Sequence, residues 1–155
     1  MPIVKILRMS GNLHLIKLCV GVESLAHLAD YRADQADRAR AEGREDVSRH
    51  ITRMWPKRAE ELLDGGSLYW VIKGTVLARQ KILRLDEVIG SDGIRRCGII
   101  MDPTLMRTHA QPRRAFQGWR YLSADDAPKD IGVFNQNEDI IPDKLHAELS
   151  ALGVL

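Results

Sequence analysis

The 155-residue sequence predicts an α+β fold: a small curved sheet or barrel of about five or six strands, with one long N-terminal helix, one short helix and a C-terminal helix. Three observations predict it. One alanine-rich stretch with a helical period stands near the N-terminus. A run of short β-rich segments fills the middle of the chain. Helices do not alternate regularly with strands, as a doubly wound fold would require.

Each element follows from its pattern. "NLHLIKLCV" (12–20) alternates, with Leu13, Leu15, Lys17 and Cys19 on one side and His14, Ile16 and Leu18 on the other, which reads as a half to fully buried strand. "ESLAHLADYRADQADRARAE" (23–42) places Leu25, Leu28, Ala29, Ala36 and Ala39 near one face, sets Asp34 and Arg38 at i,i+4, and stops at Gly43. The outer face of this helix carries both signs of charge and reads as solvated. "SRHITRMW" (48–55) alternates as a second strand. Pro56 then suits the first position of a short helix carrying Ala59, Leu62 and Leu63 and ending at Gly65-Gly66. "SLYWVIKG" and "TVLARQKILRL" read as consecutive strands with a turn or bulge at Gly74. "IRRCGIIMD", entered from the turn cluster "GSDG", is another strand, and "LMRTHA" a further extended segment. "PDKLHAELSALGVL" begins with Pro142 and lines up Leu145, Leu149 and Leu152 as an amphipathic C-terminal helix. The polar "DIGVFNQNEDIIPD" (130–143) reads as a mobile connection.

Length and composition point to one domain across 1–155, since a chain of this size buries roughly two-thirds of its unfolded surface in a single core. The N-terminus lacks the apolar region of a secretory signal, and no stretch approaches a membrane span. Cys19 and Cys97 stand far apart with no CxxC, which suits buried thiols in a reducing compartment, so a cytoplasmic protein is expected.

A search for catalytic patterns is negative. GxGxxG, GxxxxGK[ST], GxSxG and HExxH are all absent, and the five histidines are scattered. His146-Ala147-Glu148 matches half of a zinc deaminase signature whose P-C-x-x-C half is missing. The acid pairs Glu60-Glu61, Asp125-Asp126 and Glu138-Asp139 point in different directions from neighbouring positions, and Cys97 lies mid-strand. No catalytic residue, metal ligand or cofactor is therefore expected.

Charge order is more informative than its net value of +2. Residues 1–46 are neutral, 47–84 carry +5, 85–94 carry −3, 95–122 carry +5 and 123–155 carry −5. The basic charge falls into clusters beside aromatic residues: Arg49, His50, Arg53, Trp55, Lys57 and Arg58; then Lys73, Arg79, Lys81 and Arg84; then Arg107, His109, Arg113, Arg114, Trp119, Arg120 and Tyr121. Arg79 and Lys81 share a strand face about 7 Å apart, near the spacing of successive phosphates. Cations neutralise phosphates and flat rings stack unpaired bases, so RNA or single-stranded nucleic acid is the expected partner. Its expected contacts are Arg53, Trp55, Lys57, Arg58, Arg79, Lys81, Arg113, Arg114, Trp119 and Arg120. The bland alternative is that Trp119 and Tyr121 alternate into the core and that the acidic tail covers the cations.

The stretches "NLHLIKLCVGVESL", "ITRMWPKRAEELLDGGSLYWVIKGTVLARQKIL", "RRAFQGWRYL" and the terminal "ALGVL" together resemble a bacterial family known as domain of unknown function 1489. The resemblance runs from Leu13 onward, implies no activity, and implies either that residues 1–11 are an N-terminal extension or that Met9 is the real start. A short helix closed by Gly65-Gly66 and followed by closely spaced strands is also similar to PUA-like and ASCH domains, and implies a PUA-like β-barrel of a kind that often binds RNA. The ASCH pattern GxKxxExR is missing, so no residue role carries over.

A non-catalytic RNA-binding or single-strand-binding module is therefore the leading expectation. One alternative is an enzyme acting on a small anionic substrate such as a nucleotide, gripped by Arg53, Arg79 and Arg120; a deep cleft would favour it over a smooth basic groove. A protein-interaction scaffold is the other.

Overall fold

The computed structural model describes residues 11–135 together with 145, 148, 149, 151 and 152. The chain runs β1 (Leu13–Leu18), α1 (Leu25–Ala41), β2 (Ser48–Thr52), α2 (Ala59–Leu63), β3 (Ser67–Ile72), β4 (Thr75–Ile89), β5 (Arg95–Met101), β6 (Met106–Pro112), β7 (Trp119–Ser123), a 3₁₀ turn (Ala124–Asp126) and β8 (Asp130–Val133).

The expected barrel of five or six strands with three helices is not what forms. One open sheet of eight strands runs β2-β5-β4-β3-β1-β7, with β6 on β4 and β8 on β6. Among the described residues the two ends of that path, β2 and β7, do not pair, so the sheet does not close. Among the fully described elements two helices, one long and one short, accompany it. The expected C-terminal helix at 142–155 lies largely outside the described residues. Two strands escaped the sequence pattern. β7 sits in the arginine-rich stretch, and β8 opens the segment expected to be a mobile connection. Both are short strands whose pairing, rather than their composition, makes them strands.

Local chemistry explains the elements. Ser24, in an extended conformation, caps α1 by accepting the His27 N–H at 3.1 Å, and Gly43 at φ +69° follows its last turn. Arg38 and Arg40 stand in that last turn, where cations complement the helix dipole, and Arg38 pairs with Asp34 at 3.2 Å as its spacing predicts. Lys73 (φ +49°) and Gly74 (φ +79°) form the two-residue hairpin between β3 and β4, the pair of positive φ values that matches the twist of the flanking strands. Gly66 has a different reason: a Cβ there would collide with the carbonyl oxygens of Leu62 and Leu13, where α2 meets the sheet. The short helix begins at Ala59 rather than at Pro56, with Arg58 at its N-cap in a non-helical conformation and the Arg58 backbone N–H donating to the Tyr121 hydroxyl at 3.1 Å.

β1 and β3 pair in parallel, while the other pairings are antiparallel. A parallel return needs a long crossover, which here is the α1–β2–α2 excursion. β3 is buried at all six positions because both of its faces are covered. The main core lies on the face carrying Leu13, Leu15, Leu68, Trp70 and Trp119, under Leu25 and Leu28 of α1 and Leu62 of α2. A smaller cluster of Ile16, Tyr69, Val71, Val76 and Leu122 lies on the other face. No described helix is long and apolar enough to cross a membrane, and Cys19 and Cys97 are both free.

Candidate functional site

The expected contact residues do not form one field. Arg120 is opposite Ile16 and Arg79 is opposite Tyr69, so both stand on the face of the smaller cluster. Arg58 is tied to Tyr121, and Trp55 packs on the main core, so the 53–58 loop belongs to the opposite face. Trp119 offers no stacking face: its indole is 5% exposed and donates to the Met54 carbonyl at 2.8 Å. Trp55 is half-buried with the Arg95 guanidinium 4.0 Å above its ring.

Several cations already have partners. Arg79 donates twice to Asp130, at 2.8 and 2.6 Å, and once to Ser67, so the acidic segment does cover it. Arg58 makes a two-pronged contact with Glu61 and lies 5.5 Å from the Tyr121 ring. Arg113 is half-buried and shares a polar depression with Asp125 and Asp126. Arg120 is exposed over the Phe116 ring at 4.9 Å. Arg53, Lys57, Lys81 and Arg114 are exposed, and no described carboxylate lies within ion-pair distance of them.

A different set of cations does converge. A cleft of about 350 Å³ opens where the end of β1 and its following turn meet the first half of α1 and β2, with Trp70 of β3 at its base. Lys17 enters from the core-facing side of β1, Arg32 from the inner stripe of α1, and His50 from β2, while its neighbour Arg49 borders the cleft with its side chain turned to the outer face, over Gly98. Among the described residues no Asp or Glu lines it. The helical period explains Arg32: Leu25, Leu28, Arg32 and Ala39 are the buried residues of α1, so this arginine occupies an apolar position.

Arg32 is 9% exposed and has no carboxylate partner among the described residues. Its Nη1 donates to the Gln35 amide oxygen at 2.6 Å, and Nε is sealed off without an acceptor. Nη2 makes no hydrogen bond to a described residue and is not sealed off. Burial pulls its pKa below the ordinary arginine value. His50 sits edge-on to Trp70, with centroids 5.6 Å apart and its Nε2 buried without a partner. Desolvation first, then Lys17 and Arg32, lower its pKa to about 4, so the imidazole is neutral at physiological pH. Desolvation likewise pushes the Cys19 thiol up to about 11 despite Arg32 and Lys17, which makes it a poor nucleophile. The cleft is therefore a positively charged space with apolar walls, a desolvated arginine on one side and no counterion among the described residues.

A family model described as protein of unknown function (DUF1489) matches residues 15–155. The chain belongs to the DUF1489 family. No curated protein and no solved structure gives a significant match. In this DUF1489 chain, composition singled out Arg49 and His50 as part of a basic cluster but missed Lys17 and Arg32. The missed signal was positional: a cation on the inward side of an alternating strand and another on the apolar stripe of a helix.

Proposed function

We propose that this DUF1489 protein binds a small anionic ligand in the cleft between β1, α1 and β2. The observation that carries the reading is the buried Arg32 guanidinium without a carboxylate. A buried charge costs several kcal/mol unless it is paired, so such a residue persists where a ligand supplies the counter-charge. Lys17 adds a second cation, and hydrogen bonds between ionised groups are about twice as strong as neutral ones.

The test separates a binding arginine from a structural one. Arg32→Met keeps the aliphatic volume and removes the buried charge. We expect the melting temperature to hold or rise, while calorimetric binding of inorganic phosphate falls at least tenfold. A drop in melting temperature with phosphate binding unchanged would make Arg32 a structural residue.

Nucleic-acid binding stands as a second reading, supported by exposed Arg53, Lys57, Lys81 and Arg114. A single-stranded oligonucleotide in the same calorimeter tests it. Binding that weakens steeply with salt and is lost in the Lys81→Glu/Arg114→Glu double variant would favour this surface over the cleft.

A further inference from the structure

Resting on the anion reading of the cleft, we propose that its ligand is a phosphate monoester carrying a flat apolar body. Lys17 and Arg32 hold the phosphoryl group, and the body lies along Tyr31 and the apolar wall.

Charge gives the first half of the argument. Two cations, Lys17 and Arg32, face one space that no described carboxylate lines, so the charge match is better for a dianion than for a single carboxylate. A phosphate monoester is dianionic near neutral pH and presents three acceptor oxygens, enough to engage cations arriving from β1 and α1 separately. Neutral His50 beside them leaves the site polar without adding a third repelling charge.

Size and wall chemistry give the second half. A space of about 350 Å³ is far larger than an inorganic phosphate and falls in the range of pockets that take organic ligands. Val22, Leu28 and Trp70 supply a wall that inorganic phosphate cannot use. Tyr31, 52% exposed at the edge of the cleft, offers a ring on which a flat group can stack, with the Arg32 Cζ 5.3 Å from its centroid. A long polyanion would match the charge but would leave this wall unfilled.

Calorimetric titration of the full chain with inorganic phosphate, phenyl phosphate and benzoate tests both halves. Phenyl phosphate is expected to bind at least tenfold more tightly than either of the others. Tyr31→Ala, at an exposed helix position, is expected to weaken phenyl phosphate about fivefold while leaving inorganic phosphate unchanged. Lys17→Gln should weaken both phosphates. Equal affinity for phenyl phosphate and inorganic phosphate would overturn the apolar body and leave the anion reading standing. Benzoate binding as tightly as phenyl phosphate would overturn the dianion. Failure of all three probes would remove the anion reading itself, and this inference with it.

Discussion

Gln80 has no exposure at all, yet its amide is fully engaged. Its Oε1 accepts the Trp70 indole N–H at 2.9 Å, and its Nε2 donates to the Ser48 hydroxyl at 2.9 Å and the Asp102 carbonyl at 3.0 Å. One side chain thus links β3, β4, β2 and the end of β5, and holds the tryptophan at the base of the cleft. Replacing it by leucine keeps the volume but strands the indole N–H and the Asp102 carbonyl, at about 1–3 kcal/mol for each buried group left unpaired. Gln80→Leu is accordingly expected to lose about 2–4 kcal/mol in urea unfolding, and to weaken anion binding by disturbing Trp70. A stability loss under about 1 kcal/mol would show that the network is dispensable. Arg32 poses the opposite case, a buried polar group that its own fold does not satisfy. This contrast between two buried polar residues separates the scaffold from the candidate site.

At the scale of elements, β4 organises the molecule. Its first half pairs β3 and β6 and its second half pairs β5, with irregular register at Val76/Ala78 and Ile82/Arg84. Such irregularities bend a long strand, and here they let one 15-residue strand serve both parts of the sheet. β8 is the weakest member. It has four residues, pairs only β6 among the described strands, and leaves Ile131 and Val133 exposed. Its side-chain clasp is Asp130 on Arg79, with side chains 39% and 24% exposed, a partly solvated pair of modest strength. Asp130→Asn is expected to cost under about 1 kcal/mol globally while speeding amide hydrogen exchange across 130–133 by several-fold. Unchanged exchange there would show that the backbone pairing alone holds the strand. The same substitution uncovers Arg79, so a gain in oligonucleotide binding would show that the acidic segment competes for that cation.

At the scale of the whole molecule, two buried histidines set a pH dependence. His50 is held at about 4, and His14 is lowered by desolvation and by Arg79, both from an ordinary 6.5. Between about 4 and 6.5 the unfolded chain therefore binds more protons at His50 than the folded chain does, so stability is complete above 6.5 and declines as pH falls through that window. For a partly exposed group the full effect is about 2 kcal/mol. The melting temperature should stay level from pH 8 to 7 and fall below 6.5, and His50→Gln should flatten that decline. A slope unchanged by the substitution would place the titration elsewhere. An anion beside Lys17 and Arg32 relieves the electrostatic part of the His50 shift, so sulfate, whose charge is constant in this range, should bind more tightly as pH falls toward 5.

Much of this was readable in advance, where neighbours in sequence do the work. Alternation in 13–18, the α1 stripe and its stop at Gly43, the turn at Gly74 and the strands at 67–72 and 95–101 all follow from short-range periodicity and turn chemistry. The grouping of Leu13, Leu15, Lys17 and Cys19 on one side of β1 was readable too, though not that this side faces the main core, as was the possibility that Trp119 belongs to the core. What no local rule supplied was which distant segments meet. Pairing with β1 and β6 turns short, polar 119–123 and 130–133 into strands, and an open path rather than closure defines the sheet. Counting cations along the chain located charge but not its neighbours, so Arg79, neutralised by Asp130 fifty-one positions away, weighed the same as Arg32, which nothing neutralises. A side chain's period is set by the few residues beside it. Its solvent, its counter-charge and the space in front of it are set by whatever folds against it.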